Sequence, residues 1–463
     1  YLMIENSKIL YMSGQETSDF IQGGKISVCV VGLGRIGLPT AISFANSGLN
    51  TFGVDIDSEL VSGINSKEFP LKDELGYELI FKNVIKEKKF RATTDLSEAV
   101  SKSDVILLSL PTPMNKNNIP DYSAIISVGN QLHDLICKGT VIIVESTVEP
   151  GFIENTFVKI LEGEDHKFTA GKDFGLGVCP ETANPGQINN DFQNLPRLVG
   201  ALDEKTKIII TKIYNHVFPV ETIPMINCKT ANAVKLTTNV FRDLNIAFIN
   251  ELAILFEKVG INISNVLEAA KTKYNFQVHY PGPGVGGPCL PVNSYQMINL
   301  AKTWGLETLQ MVEIGRKINE SMSEHVIELL KDAFKEKGMN IENSNILVLG
   351  VAYKPNVRGL QLSPAESIIS SLKDLKANIS IYDPFFKNEL VFGINTESEF
   401  LSAVLESDAI VIVTAHKEFH DIDPEFLKSK MRSSIIIDSQ RIINQHSAKR
   451  AGLIYRGIGC EKV

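Results

Sequence analysis

The sequence predicts an α/β protein in which two doubly wound domains are joined by a helical central domain. Short apolar runs alternate with helical patterns from residue 26 onward, and the same alternation restarts at residue 345. Between these regions, apolar residues recur at helical spacing over residues 230–259. Continuous apolar strands separated by helices are typical of parallel sheets that helices cover on both faces.

The predicted elements follow in chain order. Residues 1–25 are polar and weakly patterned, so we interpret them as an N-terminal extension. A helix is predicted over 36–46, and the first domain's strands over 26–31, 51–54, 105–110 and 141–144. The middle is predicted to hold one long helix or two stacked helices over 230–259, and another over 306–334. Strands are then predicted over 346–349, 379–382, 409–413 and 435–437.

Length, charge and composition exclude several classes of protein. A chain of 463 residues is expected to form two or three domains of about 150 residues each. A net charge of -8 argues against nucleic acid or an anionic membrane as the main partner. No apolar run is long enough to predict a membrane-spanning helix.

The cysteines indicate a reduced environment. The sequence contains no C-x-x-C pair, so neither a disulfide framework nor a zinc site is predicted, and we expect no metal and a cytoplasmic location. The six cysteines are Cys29, Cys137, Cys179, Cys228, Cys289 and Cys460.

A G-x-G-x-x-G motif closes the first predicted strand and opens a helix. Gly32 makes the turn, Gly34 lets a pyrophosphate approach the backbone, and Gly37 permits close packing of helix and strand. Asp55 ends the second strand, where a carboxylate accepts hydrogen bonds from ribose hydroxyls and repels a 2′-phosphate. The motif therefore predicts binding of NAD in preference to NADP. The alternative is an ordinary glycine turn beside a surface aspartate.

The segment 281–291 presents a single thiol. Four glycines and three prolines precede Cys289, a composition that neither helix nor strand tolerates. The pattern predicts a stiff loop that holds Cys289 against a ligand, with Gly284 and Gly286 allowing a close approach. The alternative is a turn in which the cysteine is merely buried.

These motifs together resemble the UDP-glucose/GDP-mannose dehydrogenase family from residue 26 to the end of the chain. The matching segments are 32–39, 109–113, 145–151, 179–181, 235–251 and 284–291, with a weaker one at 349–356. The resemblance implies oxidation of a primary alcohol of a nucleotide sugar to a carboxylate with two NAD. It also implies two Rossmann-like domains and a helical dimerisation domain, hence a homodimer or a dimer-based oligomer. The expected boundaries are 26–220 for the NAD-binding domain, 221–335 for the central domain and 336–463 for the UDP-sugar-binding domain.

The resemblance implies roles for individual residues. Cys289 matches the nucleophile that traps an aldehyde and then forms a thioester. Lys235 and Asn239, one helical turn apart, match the residues that stabilise the oxyanion. Glu181 matches a carboxylate that helps to activate the hydrolytic water. Two threonines that follow predicted strands match residues near the cofactor: Thr147, near the water as well, and Thr112, on the nicotinamide side.

The sequence departs from the family pattern at three positions. Asn293 stands where the family has an aspartate; it can hydrogen-bond but cannot act as a carboxylate base. Gln361 and Gln440 each replace an arginine. Positive charge for the phosphates is then expected from Lys354, Arg358 and Arg441.

The segment 241–252 resembles the N-acetylhexosamine branch of the family. Arg242 and Asp243 are predicted to contact the acetamido region of the sugar, the alternative being an exposed pair on a helix. The expected substrate is UDP-N-acetyl-D-mannosamine, with UDP-N-acetylglucosamine and UDP-glucose as alternatives.

Two other functions remain open from the sequence. A two-electron dehydrogenase of the β-hydroxyacid type would need neither the Cys289 loop nor a second sheet domain. An inactive NAD-binding regulatory protein would tolerate the changes at Asn293 and Gln361. The number of NADH formed per sugar consumed separates these possibilities.

Overall fold

The computed structural model describes residues 9–164 and 167–461. The chain forms two compact units, Tyr1–Thr238 and Asn239–Val463. The boundary falls within one long helix, α10, which spans Cys228–Val259.

The first unit is built on an eight-stranded sheet with the strand order β3-β2-β1-β4-β5-β6-β7-β8. All neighbouring strands are parallel except β6 and β7. The strands are β1 (Ser27–Val31), β2 (Asn50–Val54), β3 (Phe90–Thr93), β4 (Val105–Leu108), β5 (Val141–Val144), β6 (Gly175–Val178), β7 (Arg197–Ala201) and β8 (Thr222–Pro224).

Helices pack against this sheet. They are α1 (Gly14–Gln22), α2 (Gly37–Asn46), α3 (Ser58–Asn65), α4 (Tyr77–Lys86), α5 (Leu96–Ser101), α6 (Ser123–Leu135), α7 (Val158–Glu162), α8 (Ile188–Asn194) and α9 (Glu204–Val217). Strands β4 and β5 are buried along their whole length. Two apolar clusters share the alternating side chains of β1 and β4, as expected for a sheet with both faces covered.

The structure describes the predicted N-terminal extension from Ile9 onward, and residues 1–8 lie outside the described part of the chain. Ser13 caps α1 through a capping box with Glu16. Ile9, Leu10 and Ile21 are buried in the core of the first unit. The sequence pattern missed this segment because so few apolar residues carry its packing.

The second unit contains a parallel five-stranded sheet with the strand order β10-β9-β13-β14-β15. Its strands are β9 (Asn345–Leu349), β10 (Asn378–Tyr382), β13 (Ala409–Ile412), β14 (Ile435–Asp438) and β15 (Ile454–Gly457), with an antiparallel ribbon of β11 (Leu390–Val391) and β12 (Ile394–Asn395). Its helices are α11 (Ile263–Ala270), α12 (Leu290–Thr303), α13 (Gln310–Lys337), α14 (Pro364–Asp374), α15 (Phe400–Val404), α16 (Pro424–Lys430) and α17 (Gln445–Arg450).

The predicted fold class is confirmed: two Rossmann-like sheets and a helical central region. The pattern over 230–259 forms one helix, α10, and the pattern over 306–334 forms α13. The sequence pattern does not predict the strands β3, β6, β7, β8 and β15, because each is short and contains at most three apolar residues. Among the described helices, none is both long enough and apolar enough to cross a membrane.

Candidate active site

The turn after β1 has the geometry of a dinucleotide-binding turn. Gly32 adopts a φ of 93°, and its amide donates to the carbonyl of Val54 at 2.8 Å. A Cβ on Gly37 would lie 1.8 Å from the Gly32 carbonyl oxygen, so only glycine permits this contact of turn and helix. Helix α2 begins without a side-chain cap, and the amide of its second residue, Leu38, donates to the Gly34 carbonyl at 3.1 Å.

Two features of this turn fit a bound dinucleotide. A Cβ on Gly34 would meet nothing within 4 Å, so the backbone faces open space where a pyrophosphate can approach. Asp55 is partly exposed at the end of β2; its carboxylate accepts from the Leu33 amide at 2.7 Å and from the Asp57 amide at 3.0 Å. The remaining acceptor capacity of this carboxylate suits ribose hydroxyls.

The structure brings the two predicted threonines together. Thr112 follows β4 and Thr147 follows β5, and the Thr112 hydroxyl donates to the Thr147 carbonyl at 2.9 Å. The Ser146 hydroxyl ties the same two strand ends by accepting from the Leu110 amide at 2.7 Å. Both threonines therefore lie at the carboxyl ends of adjacent parallel strands, where open α/β sheets bind ligands.

Glu181 follows β6 and is held in one orientation. It is 7% exposed; one carboxylate oxygen accepts from the amides of Thr182 (2.7 Å) and Ala183 (2.6 Å). The other oxygen forms an ion pair with Arg197 at the start of β7. The carboxylate predicted from the C-P-E motif is thus fixed by backbone donors and a cation.

Arg197, the partner of Glu181, belongs to no motif that the sequence presents. Its guanidinium packs on the rings of both Phe192 and Phe218, at 4.2 and 4.1 Å from their centroids, and the two rings are nearly perpendicular to each other. Burial alone would lower the pKa of Arg197, but the Glu181 carboxylate more than offsets this, and the guanidinium stays charged. One arginine before a short apolar strand carries no distinctive signal in the sequence.

Lys235 and Asn239 lie one turn apart on α10, as their spacing predicts. Lys235 is 6% exposed, so it is not a solvated lysine on the surface of the helix. The Asn239 amide nitrogen donates to the Asn293 side-chain oxygen at 2.6 Å, and the Asn293 amide donates to Gln296 at 2.9 Å. A chain of amides occupies the place where the family has a carboxylate.

Cys289 immediately precedes α12 and is partly exposed. The loop before it contains two glycines with positive φ, Gly284 (136°) and Gly287 (92°). The glycines do allow a close approach, but the neighbour that approaches them is another segment of the chain. A Cβ on Gly286 would lie 2.3 Å from the Leu362 carbonyl oxygen, and one on Gly287 would lie 2.7 Å from the Tyr353 ring. The loop is therefore stiff because it packs against residues 353–364.

Arg242 and Asp243 have different environments. Arg242 is exposed. Asp243 is 2% exposed and forms an ion pair with buried Arg316 at 3.0 Å, while Ser294 and Asn319 donate to it at 2.7 and 2.8 Å. The alternative of an exposed pair on a helix therefore holds for Arg242 only. Asp243 is buried, and its hydrogen bonds connect α10 to α12 and α13.

The expected phosphate cations are placed unequally in the second unit. Lys354 is partly exposed after β9. Arg358 is exposed and forms an ion pair with Glu389 at 2.8 Å. Arg441 donates to the carbonyl of Pro281 at 2.8 Å, and Gln440 donates to the carbonyl of Val413 at 2.7 Å. Arg441 therefore supports the start of the cysteine loop.

Comparison with known families matches three consecutive regions. Residues 26–218 match the NAD-binding domain of the UDP-glucose/GDP-mannose dehydrogenase family, residues 229–321 its central domain and residues 347–445 its UDP-binding domain. The glycine turn and Asp55 thus belong to an NAD-binding domain, and the predicted cofactor, NAD, is confirmed.

Individual relatives match over nearly their full length. The chain is 34% identical to the UDP-N-acetyl-D-mannosamine dehydrogenase of Pyrococcus horikoshii, over 93% of this chain and 99% of the relative. The solved structure of the P. horikoshii enzyme is similar with a TM-score of 0.88 and 33% identity, covering 95% of this chain and all of that one. The UDP-N-acetyl-D-glucosamine 6-dehydrogenase of Salmonella typhi is 29% identical over 87% of this chain and 93% of the relative. The chain belongs to the UDP-glucose/GDP-mannose dehydrogenase family and is an NAD-dependent nucleotide-sugar dehydrogenase.

Proposed function

We propose that the protein oxidises C6 of UDP-N-acetyl-D-mannosamine, giving UDP-N-acetyl-D-mannosaminuronate. The observation that carries this proposal is the full-length similarity, in sequence and fold, to the P. horikoshii UDP-N-acetyl-D-mannosamine dehydrogenase. The S. typhi relative makes UDP-N-acetyl-D-glucosamine the second candidate substrate. The two sugars differ only in the configuration at C2, which a few side chains are able to distinguish.

The reaction removes four electrons in two steps. NAD, when bound, accepts the hydride in each oxidation. The first oxidation gives an aldehyde; the Cys289 thiolate adds to its carbonyl carbon and forms a thiohemiacetal. The second oxidation gives a thioester, and water then displaces the thiolate to leave the carboxylate. The stiff loop before α12 and the partial exposure of Cys289 support its role as nucleophile.

Four residues are proposed to serve these steps. Lys235 and Asn239 stabilise the negative oxygen that forms when the carbonyl is attacked. Glu181 accepts a proton from the attacking water. Asn293 cannot act as a base, and we propose that it orients Asn239 through their hydrogen bond of 2.6 Å.

The remaining predicted residues are proposed to bind ligands. Thr112 and Thr147 serve the nicotinamide side of the cofactor, consistent with their place at two strand ends. Substrate binding is proposed for the loop glycines Gly284 and Gly286, for Lys354 and for the helix residues Arg242 and Asp243. For Asp243 the buried contacts with Arg316 favour an indirect contribution through the position of α10.

The domain boundaries remain those predicted, 26–220, 221–335 and 336–463, and the matched family regions lie within them. We also propose a homodimer or dimer-based oligomer. Helix α10 exposes apolar residues at a spacing of seven, Phe241, Phe248 and Leu255, each about half exposed. Such a stripe suits a helix of a second copy. A nucleophilic thiol fits the cytoplasm, where thiols are kept reduced.

Steady-state kinetics on three sugars tests the substrate. UDP-N-acetylmannosamine should give the highest kcat/KM, UDP-N-acetylglucosamine the second and UDP-glucose the lowest. Sugars that leave a buried polar partner unpaired should lose about 1–3 kcal/mol, or roughly 5- to 150-fold in kcat/KM. A highest kcat/KM with UDP-glucose would contradict the assignment to the N-acetylhexosamine branch.

A further inference from the structure

A buried carboxyl, Glu145, lies beside Glu181 and has no role in the proposed mechanism. It directly follows β5 and is 2% exposed. The Tyr214 hydroxyl on α9 donates to one of its oxygens at 2.5 Å. Glu145 and Glu181 thus follow adjacent strands of the same sheet, and the Glu181 amide bonds the Glu145 carbonyl at 3.5 Å.

The cluster contains two carboxyls but one cation. Arg197 pairs with Glu181 through one of its terminal nitrogens, Nη1, and the other, Nη2, is buried without a hydrogen-bond partner among the described residues. The second carboxyl oxygen of Glu145, Oε2, is likewise buried without a partner of normal geometry in the described part of the chain. The Thr40 hydroxyl of α2 faces the same carboxyl.

Glu145 is the group in this cluster that titrates near neutral pH. Its pKa is raised to about 7: burial raises it most and the Glu181 carboxylate adds to this, while Tyr214, Arg197 and Thr40 offset part of the rise. Burial also raises the pKa values of Cys179 and Tyr214, which keeps the thiol and the phenol protonated.

We infer that Glu145 is a positioning residue for Glu181. While it carries a proton, it leaves Arg197 to Glu181 alone; once ionised, it competes for the guanidinium through the unused Nη2. The inference rests on the proposed role of Glu181 in hydrolysis. Glu145 takes no part in the hydrolysis step itself, in which the proton of the attacking water goes to Glu181.

The burial of Arg197 limits how the cluster can respond to a second negative charge. Arg197 is 2% exposed and its guanidinium packs on the rings of both Phe192 and Phe218, so these contacts hold it inside the cluster. A second carboxylate therefore has to share the same cation. Two buried carboxylates with one cation leave an uncompensated negative charge, which is unfavourable in a site of low dielectric.

The test is the pH dependence of kcat at saturating NAD and UDP-N-acetylmannosamine, from about pH 6 to 9. In the unmodified enzyme, kcat should fall as the pH rises through the ionisation of Glu145, by at most about tenfold per pH unit. Glu145→Gln, which resembles the protonated side chain, should lack this transition. Glu149→Gln removes another carboxyl whose pKa burial raises, four residues further along the chain, and should retain it.

A second variant tests whether the transition in kcat follows the pKa of Glu145. Tyr214→Phe removes the hydroxyl that lowers the pKa of Glu145, so the transition should move to higher pH.

Infrared difference spectra of the substrate-free enzyme should show a protonated carboxyl near neutral pH that disappears in Glu145→Gln.

Three results would overturn the inference: an unchanged transition in Glu145→Gln, a loss of kcat by the same factor at every pH, or no protonated carboxyl. The infrared signal needs no substrate. It therefore tests Glu145 even if the enzyme oxidises a different sugar or does not form two NADH, results that would count against the proposed function instead.

Discussion

The two sheet domains contain the same turn with different surroundings. In the first unit, Gly32 has a φ of 93° and its amide bonds the end of β2 at 2.8 Å; in the second, Gly350 has a φ of 80° and its amide bonds the end of β10 at 2.9 Å. An aspartate follows each second strand. Asp55 accepts from Leu33 at 2.7 Å, and Asp383 accepts from Val351 at 2.7 Å.

The two aspartates differ in their exposure and in the other groups that bond to their carboxylates. Asp55 is partly exposed, whereas Asp383 is fully buried and bonded to His416 at 3.0 Å. The Asn356 amide donates to the other nitrogen of the His416 ring at 3.0 Å, which fixes the ring. Asp55 is thus available to a ribose and Asp383 is not. The turn and its aspartate are therefore a structural feature that both sheets share, and the exposure of the aspartate decides whether a ribose can reach it.

The largest effect is expected from removing the nucleophile, which lies in the second unit. Cys289→Ser should lower carboxylate formation by several orders of magnitude, as the loss of a covalent nucleophile generally does. NAD binding should be unchanged, because the glycine turn and Asp55 belong to the first unit. Isothermal titration with NAD and an assay of the uronate check both statements. Near-normal turnover would rule out thioester chemistry at Cys289.

The role assigned to Asp55 predicts a change in cofactor preference. The unmodified enzyme should have a much higher kcat/KM with NAD than with NADP. In Asp55→Asn the ratio of these two kcat/KM values should fall by roughly 10- to 150-fold, since a hydrogen bond to a charged group is worth about 1.5–3 kcal/mol. Asp383→Asn is the matched control in the other turn and should leave the ratio of kcat/KM values unchanged. Equal kcat/KM for NAD and NADP in the unmodified enzyme would contradict the role of Asp55.

The buried carboxyls of the two units should show opposite pH dependence of stability. Burial would raise the pKa of Asp383, but His416 and backbone amides more than offset it, and the pKa is lowered. Asp383→Asn should therefore destabilise the protein by about 1–3 kcal/mol at neutral pH. This difference should shrink as the pH falls below the ordinary aspartate pKa of about 4.

For Glu145 the dependence of stability on pH is expected to be the reverse of that for Asp383. Its pKa is raised from 4.5 to about 7, so the folded state binds the proton more tightly, and stability is lost as the pH rises across that interval. Glu145→Gln should raise stability by about 3 kcal/mol above pH 7 and by little near pH 4.5. Thermal melting of both variants across pH measures the two trends. The same sign for both would mean that at least one carboxyl has a different protonation state.

Motifs with unusual backbone demands could be predicted from the sequence. The turn at Gly32, the carboxylate at Asp55 and the loop before Cys289 depend on residue types that few other structures require. Arg197 could not be predicted, because its position depends on Phe192, Phe218 and Glu181, which only the fold brings together. The burial of Asp243 could not be predicted for the same reason, since its partner Arg316 is 73 residues away in the sequence.

The number of NADH formed per UDP-N-acetylmannosamine consumed tests the central claim most directly. The sugar is supplied in limiting amount with excess NAD, and NADH and the uronate are quantified at completion. A four-electron oxidation through Cys289 predicts two NADH and one carboxylate for each sugar. One NADH with an aldehyde product, or no NADH, would contradict the account.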